Sequence, residues 1–533
     1  MHSSTLLLVF LSVFAVSVRC DAEEDDDTPD PELVPQFVPE DDDESASYDD
    51  EEDSGEVSGE RRKRSAEYDY AEVLHKSLLF YEAQRSGKLP ENNRIPWRGD
   101  SGLDDGSDVG VDLTGGWYDA GDHVKFNFPM AFSTNMLGWG LIEFWESYEE
   151  AGELGNMLDA IRWPCEYFIK CHPSPDVYYY GVGDPGADHN YWGRAESMTM
   201  ERPTWTCTKD DTCSDVAGET AAALAVCSIA FNKTSDYSDK AFADQCLQKA
   251  QSLYNLAHNN PGKYYPMTSE TGNQYYVSIR FHDELAWACL WLYLATGTPE
   301  YLSRAGEAAA TMDTFDGDEL YIHAAVKMFQ TTKFSLKGKA FAMSWNDKRP
   351  AVQLLLYKLT KDRISAKKVN KFIDAWKDLV PRTPGGLSVR PQLIWGSNGI
   401  AANAAFVALM ADKYGVTSDA DKAARYEWAK HQIHFILGDA GHSFMVGFGE
   451  NPPTHPHHRG STCPVDGPCN WKTFRDLVTP NANELTGAVV GGPNDKGEWS
   501  DNRADYVRNE VTTYYNSGFQ SAVAALMQME KTE

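Results

Sequence analysis

Tyr70-Ala71-Glu72-Val73-Leu74-His75-Lys76-Ser77-Leu78-Leu79-Phe80-Tyr81 carries Tyr70, Val73, Leu74, Leu78 and Tyr81 at spacings of three and four. That period puts them on one face of an α-helix and the charged residues on the other. The same rhythm returns in Met136, Leu137, Leu141, Phe144 and Trp145, and further helical stretches begin near Val216, Glu284, Ala351, Ala401, Arg425 and Asn516. Sustained strand alternation is scarce and no βαβ rhythm appears. About a dozen helices after Ser65, with no linker-like composition shift, predict an all-α domain built as a bundle or a helical toroid.

Between these helices run segments too long to be simple connections: 93–132, 174–214, 260–282 and 440–500, rich in Trp, Tyr, His, Asp and Gly. Loops of that length in a packed domain usually carry function. Rings beside hydrogen-bonding groups suit sugars, whose C–H faces stack while their hydroxyls need polar partners.

The N-terminus reads differently. Residues 1–20 hold an apolar run from Leu6 to Val16, too short to span a bilayer, and are expected to be a secretory signal. No later stretch approaches eighteen uninterrupted apolar residues, so no membrane association is expected. Residues 21–60 contain 20 Asp and Glu with no Lys or Arg. Such a segment cannot bury enough surface to offset chain entropy. It ends at Arg61-Arg62-Lys63-Arg64, and residues 21–64 are read as an acidic pro-segment removed by a convertase after Arg64. The expected mature domain is 65–533. The net charge is −32 overall; beyond residue 64, 43 Lys and Arg oppose 60 Asp and Glu, a net of −17. A surface of that sign repels phosphate backbones and argues against nucleic acid. Of ten cysteines, Cys207 with Cys213 and Cys463 with Cys469 are candidate bridges across short loops, and Cys165 with Cys171 is a third. Cys227, Cys246 and Cys289 fall in apolar helical patterns and read as buried thiols.

Three stretches carry chemistry. Gly115-Gly116-Trp117-Tyr118-Asp119-Ala120-Gly121-Asp122-His123 sets two carboxylates three apart in a glycine-rich turn, able to hold and deprotonate one water. Glu510 lies at the end of Trp499 to Val511, just before a helix opening with Tyr514, Tyr515 and Asn516; an acid among aromatic residues can stay protonated near neutral pH. His455-Pro456-His457-His458-Arg459 reads as ligand contact rather than zinc, because Pro456 and the short spacing hinder convergence on one ion. The segment from Ser443 through Gly447-Phe448-Gly449-Glu450-Asn451-Pro452-Pro453 to that cluster is equally distinctive.

Taken in order, these motifs resemble glycoside hydrolase family nine, the endoglucanase-type cellulases, and in particular their animal members, from about Tyr68 to the C-terminus. The resemblance implies an (α/α)6 barrel of six helical hairpins with long active-site loops at one end. It implies a secreted, inverting endo-β-1,4-glucanase acting on β-1,4-glucan, with Asp122 as general base, Asp119 as its partner on the water and Glu510 as general acid. His457, Arg459 and Asp501 match further active-site positions. Asp184, His189 and Trp192 match a substrate-contact loop, and Tyr276 (or Tyr275), Trp395 and Tyr515 match sugar-contacting aromatics. No cofactor is required for that chemistry. A structural calcium would fall to Asp283, Glu284 and Asn346, the last standing where the family has an aspartate. Tyr514 also departs from the family, which commonly has Asp there. A monomer is expected. The alternatives are a glucan-binding protein without activity, or a same-fold hydrolase of another β-glycan.

Overall fold

Helix propensity alone does not place a helix; burial of a face does. In the computed structural model, which describes residues 68–531 apart from 234–235, 265–274, 279, 313–341, 392 and 394, two kinds of helix alternate. Twelve helices of twelve residues or more follow one another among the described residues. They are α1 (Tyr70–Ala83), α2 (Asn127–Glu143), α3 (Leu154–Cys171), α4 (Ser214–Asn232), α5 (Lys240–Asn259) and α6 (His282–Thr296). Then come α7 (Pro299–Met312), α8 (Arg349–Thr360), α9 (Arg363–Asp374), α10 (Ser397–Lys413), α11 (Asp419–His434) and α12 (Thr513–Met529).

The even-numbered helices are apolar or small-residue sequences on nearly every side. In α4, Ser214-Asp215-Val216-Ala217-Gly218-Glu219-Thr220-Ala221-Ala222-Ala223-Leu224 has no exposed face. It is long and apolar enough to cross a membrane, but it is buried inside the protein. These helices form a closed ring: α2 packs on α4, α4 on α6, α6 on α8, α8 on α10, α10 on α12, and α12 back on α2. Small residues allow the close crossings; a Cβ on Gly140 of α2 would sit 2.7 Å from the Ser521 Cβ of α12. The odd-numbered helices are amphipathic and lie outside. In α9 only Ser365, Val369, Phe372 and Ile373 are buried. Helix α5 leans on α4, α7 on α6, α9 on α8, α11 on α10, α1 on α12, and α3 on α2 and α4. This is the (α/α)6 barrel: six inner and six outer helices, with the core between the layers.

The expected loops are partly structured. Segment 93–132 ends earlier than its composition suggests, because α2 begins at Asn127 rather than near Met136; it is apolar all round, so its first turns show no stripe. Segment 174–214 holds two strands, β2 (Val177–Val182) and β3 (Thr204–Thr208), which with β1 (Lys125–Phe126) make an antiparallel sheet in the order β1-β2-β3. Disulfides join Cys207 to Cys213 and Cys463 to Cys469. The third candidate pair is not a bridge: Cys165 and Cys171 are free and buried. Both lie on α3, where six residues carry the chain about 9 Å along the axis and to the opposite flank, too far for a disulfide. Cys227, Cys246 and Cys289 are buried thiols. The proposed signal, acidic segment and cleavage site lie outside the described residues.

Candidate active site

The aspartate turn is held from three sides. At the end of α1, Gln84 accepts from Tyr118 N through its backbone carbonyl at 2.8 Å and donates from its amide to the carbonyls of Tyr118 and Ala120. Trp117 is fully buried with its ring 4.9 Å from that of Tyr81. Thr513 N, opening α12, donates to Asp119 O at 3.0 Å. Gly121 lies against the third support, and here only glycine fits: a Cβ would stand 2.8 Å from the Cα of His458 and closer still to the His457 carbonyl. Arg459 N donates to Gly121 O at 3.1 Å.

That same segment reaches Glu510. His457 N donates to Asn509 O at 2.8 Å, and residues 457 and 510 form a parallel bridge. On its other flank Glu510 O accepts from Gly491 N at 2.9 Å. Backbone hydrogen bonds therefore stitch Asp119–Asp122, His457–Arg459 and Glu510 into one site, although 388 positions separate Asp122 from Glu510.

Electrostatics divide the three carboxyls. Burial pushes the Glu510 carboxyl up to about 8; the negative charge of Asp122 adds to this and Arg459 opposes it. Glu510 therefore holds its proton at neutral pH. Burial, then Asp122, raises Asp119 well above the carboxylate range. The Tyr276 hydroxyl donates to Asp119 Oδ2, while Asp119 Oδ1 is buried with no hydrogen-bond partner. An oxygen of that kind needs a donor such as water. Asp122 Oδ1 accepts from Ala120 N at 3.3 Å and Oδ2 lies 3.4 Å from His189 Nε2.

The surrounding groups are mostly already satisfied. Arg459 Nη1 donates to Asp188 Oδ1 at 2.5 Å, and His123 N donates to Asp188 Oδ2 at 3.1 Å. Donor atoms of Asp122, Asp188 and His189 lie within 4.8 Å of one another, a spacing a cation could bridge. Arg459 already neutralises Asp188, so the cluster reads as support for a carboxylate rather than a metal centre. His457 Nδ1 faces Arg503 O at 2.7 Å, and burial pushes this ring down to about 4, so it is neutral. Its ring lies 5.3 Å from Trp192, which packs against Phe474 at 4.5 Å and Trp471 at 5.6 Å.

Other sequence-selected residues sit differently. Asp501 accepts from Thr454 N, Thr454 Oγ1 and His455 N at 2.7–2.9 Å, which secures the turn leading to His457. Asp184 caps a short helix (Pro185–His189), accepting from Ala187 N, while Asp188 in the same loop is the residue joined to Arg459. Trp395 is 41% exposed and pairs with Tyr506 at 5.5 Å. Tyr515, expected as a sugar contact, is fully buried against Gly396 and Gly399, so it has no surface for stacking; the partly exposed ring is Tyr514. Asp188, Trp471 and Phe474 carried no assignment from the sequence, and Tyr275 entered only as the alternative to Tyr276. Only Asp188 had a local signal, an acid next to His189 in an aromatic loop.

The expected calcium residues lie apart from this site. Glu219, Asp283 and Glu284 are fully buried around one cation: Lys348 Nζ is 2.8 Å from both Glu219 Oε2 and Glu284 Oε1, and Lys348 N donates to Asp283 Oδ2 at 2.9 Å. Asp283 Oδ1 and Glu284 Oε2 are buried without a partner. Glu219 Oε1 is unpartnered too, so three carboxyl groups against one ammonium leave oxygens of the kind a hard divalent ion takes, beside a Lys348 that already supplies one positive charge. Asn346 sits in the Ser344–Asp347 turn that presents Lys348.

With this geometry in place, the comparisons are specific. The model of glycosyl hydrolase family 9 matches residues 70–523. The chain belongs to glycosyl hydrolase family 9. Among relatives of this family 9 hydrolase, endoglucanase 4 of Bacillus sp. (strain KSM-522) is 42% identical over 88% of the chain and 70% of the relative. Endoglucanase 15 of Arabidopsis thaliana is 37% identical, covering 87% and 94%. The endoglucanase of the termite Nasutitermes takasagoensis superposes with a TM-score of 0.77 at 42% identity, covering 87% of this chain and 99% of that one. A C. cellulolyticum cellulase solved in complex with cellobiose gives 0.76 at 33% identity over the same shares.

Proposed function

We propose that this family 9 hydrolase is a secreted endoglucanase that cleaves internal β-1,4-glucosidic bonds with inversion. The observation that carries the reading is a carboxyl held protonated to about pH 8, Glu510, in one site with the Asp119–Asp122 pair. Glu510 gives its proton to the leaving glycosidic oxygen. Asp122 takes a proton from a water that attacks the anomeric carbon on the opposite face, and the unpartnered Oδ1 of Asp119 accepts that water's second hydrogen. Hydrolysis then yields one reducing end of inverted configuration. Tyr514, Trp395 and Tyr506 offer rings for glucosyl units, and Arg459, held by Asp188, tempers the negative charge around the acid.

Calcium, where bound, falls to Asp283, Glu284 and Asn346; it neutralises buried charge and ties the 344–348 turn to α6. An acidic pro-segment, residues 21–64, removed after Arg64 to leave a monomeric catalytic domain of residues 65–533, belongs to the same proposal. The test is NMR of fresh products from soluble cello-oligosaccharides and mixed-linkage glucan. An initial α-anomer from β-1,4 bonds is expected. A β-anomer would refute inversion, and binding without reducing-end release would make the chain a glucan-binding protein.

A further inference from the structure

Tyr275 is half-buried, and its hydroxyl lies 2.9 Å from His189 Nδ1, with the two rings edge to face at 5.1 Å and 87°. The other nitrogen of that imidazole, Nε2, lies 3.4 Å from Asp122 Oδ2. Tyr275 is braced by Phe126 at 5.9 Å. The next residue, Tyr276, has a left-handed backbone with φ of 54°. A bulky residue adopts that conformation only where its surroundings impose it, typically at a functional site. Through it two adjacent tyrosines serve two different aspartates: Tyr276 reaches Asp119 directly, and Tyr275 reaches Asp122 through His189.

We infer that Tyr275 is a positioning residue that fixes the tautomer of His189, so that the Nε2–H of this imidazole is aimed at Asp122. The inference rests on the reading of Asp122 as general base. The polarity follows from the two contacts together. In the neutral ring one nitrogen carries hydrogen and the other a lone pair. If Nδ1 carried it, the Nε2 lone pair would confront a carboxylate oxygen and repel it. If Nε2 carries it, a hydrogen bond to Asp122 replaces that repulsion, and Nδ1 becomes an acceptor for the phenol. The phenol is a secure donor, because burial and then the charge of Asp122 push it up to about 12. This is the means by which a second partner selects a histidine tautomer elsewhere.

The charged groups around the pair are mixed. Asp122 faces the carboxyls of Asp119, Asp188 and Glu510, and the Arg459 guanidinium faces Asp188 and Glu510 beside it. His457, neutral and tied to Arg503 O, also faces Asp122 and His189. Among the described residues, His189 Nε2 and the backbone N of Ala120 lie within hydrogen-bond distance of Asp122. Losing an oriented donor raises the proton affinity of a carboxylate.

Tyr275→Phe keeps the ring and removes the hydroxyl. Nitrogen NMR of isotopically labelled histidine should show His189 as the Nε2–H tautomer in the wild-type protein and as a mixture in the variant. On soluble β-1,4-glucan the variant should lose about tenfold in kcat at unchanged KM. The acid limb of its kcat/KM profile should move up by roughly half a pH unit or more. An Nδ1–H tautomer in the wild type overturns the inference, as does a variant with unchanged spectrum and profile. A rise in KM with kcat and acid limb unmoved also overturns it, making Tyr275 a sugar platform. Should the expected tautomers appear in a protein that cleaves no glucan, the assignment of Asp122 as base fails while the Tyr275–His189 contact stands.

Discussion

Replacing Glu510 with Gln separates two consequences of one buried proton. The folded site holds that carboxyl at about 8, against 4.5 for the free side chain. Burial is the main cause, and Gln mimics the protonated acid in size and polarity without being able to ionise. For activity, a general acid contributes about 10²–10⁴ in rate, so kcat of Glu510→Gln on carboxymethylcellulose should fall by that factor while KM changes little. In the wild type, the alkaline limb of kcat/KM should lie near pH 8, where the acid loses its proton. Below pH 4.5 both folded and unfolded chains hold the proton, and the group is neutral to folding. As pH rises from 4.5 to 8 the unfolded chain releases it and the folded chain does not, so folding stability falls. The gap between about 8 and 4.5 corresponds to about 5 kcal/mol across that window. Glu510→Gln is exempt from this loss. Urea unfolding of both proteins at pH 5, 6, 7 and 8 should therefore show the variant gaining on the wild type by roughly 1.4 kcal/mol for each pH unit. A stability difference that stays flat over the series refutes the buried-acid account, and a variant within tenfold of wild-type kcat refutes the role of Glu510.

Gly121→Ala drives a methyl group into the His457–His458 backbone, separating the base turn from the acid segment; kcat should fall by about 10²-fold and stability by about 1–3 kcal/mol in chemical denaturation, and normal activity would show the contact is slack. Lys348→Met leaves Glu219 and Glu284 buried without their shared ammonium, which should destabilise the fold by about 3–5 kcal/mol in chemical denaturation, with a loss under 1 kcal/mol counting against that ion cluster. Calcium at a hundredfold excess over its Kd should add about 2.7 kcal/mol over a chelator-treated sample; identical melting curves would remove Asp283 and Glu284 from any metal role.

The outer helices were legible because their period is visible: the stripe from Tyr70 to Tyr81 gives α1 nearly to its ends. The inner helices were harder to delimit, since a helix buried on all sides has no polar face to mark its turns; α2 starts nine residues before the pattern that announced it. Motif chemistry pointed to the aspartate turn and Glu510, but their meeting depends on backbone bonds through His457 and Arg459 that no local pattern encodes. The choice between Tyr514 and Tyr515 turned on which way one helical turn faces, and the close approach of Gly396 and Gly399 decides it. Asp184 and Asp188 show the same limit, for one carboxylate caps a helix and the other pairs with an arginine far away in the chain.

Ring closure also has a temporal side. Helix α12 is the last staple of the inner circle, touching both α2 and α10, and Glu510 stands just before it. During synthesis the early hairpins can stack as they emerge, yet the circle stays open until this final segment arrives. On the proposed mechanism, the same stretch that shuts the barrel also delivers the proton donor. If Glu510 is the acid, a nascent or clipped chain lacking that stretch is both unsealed and inert, and catalytic competence then reports completion of the fold.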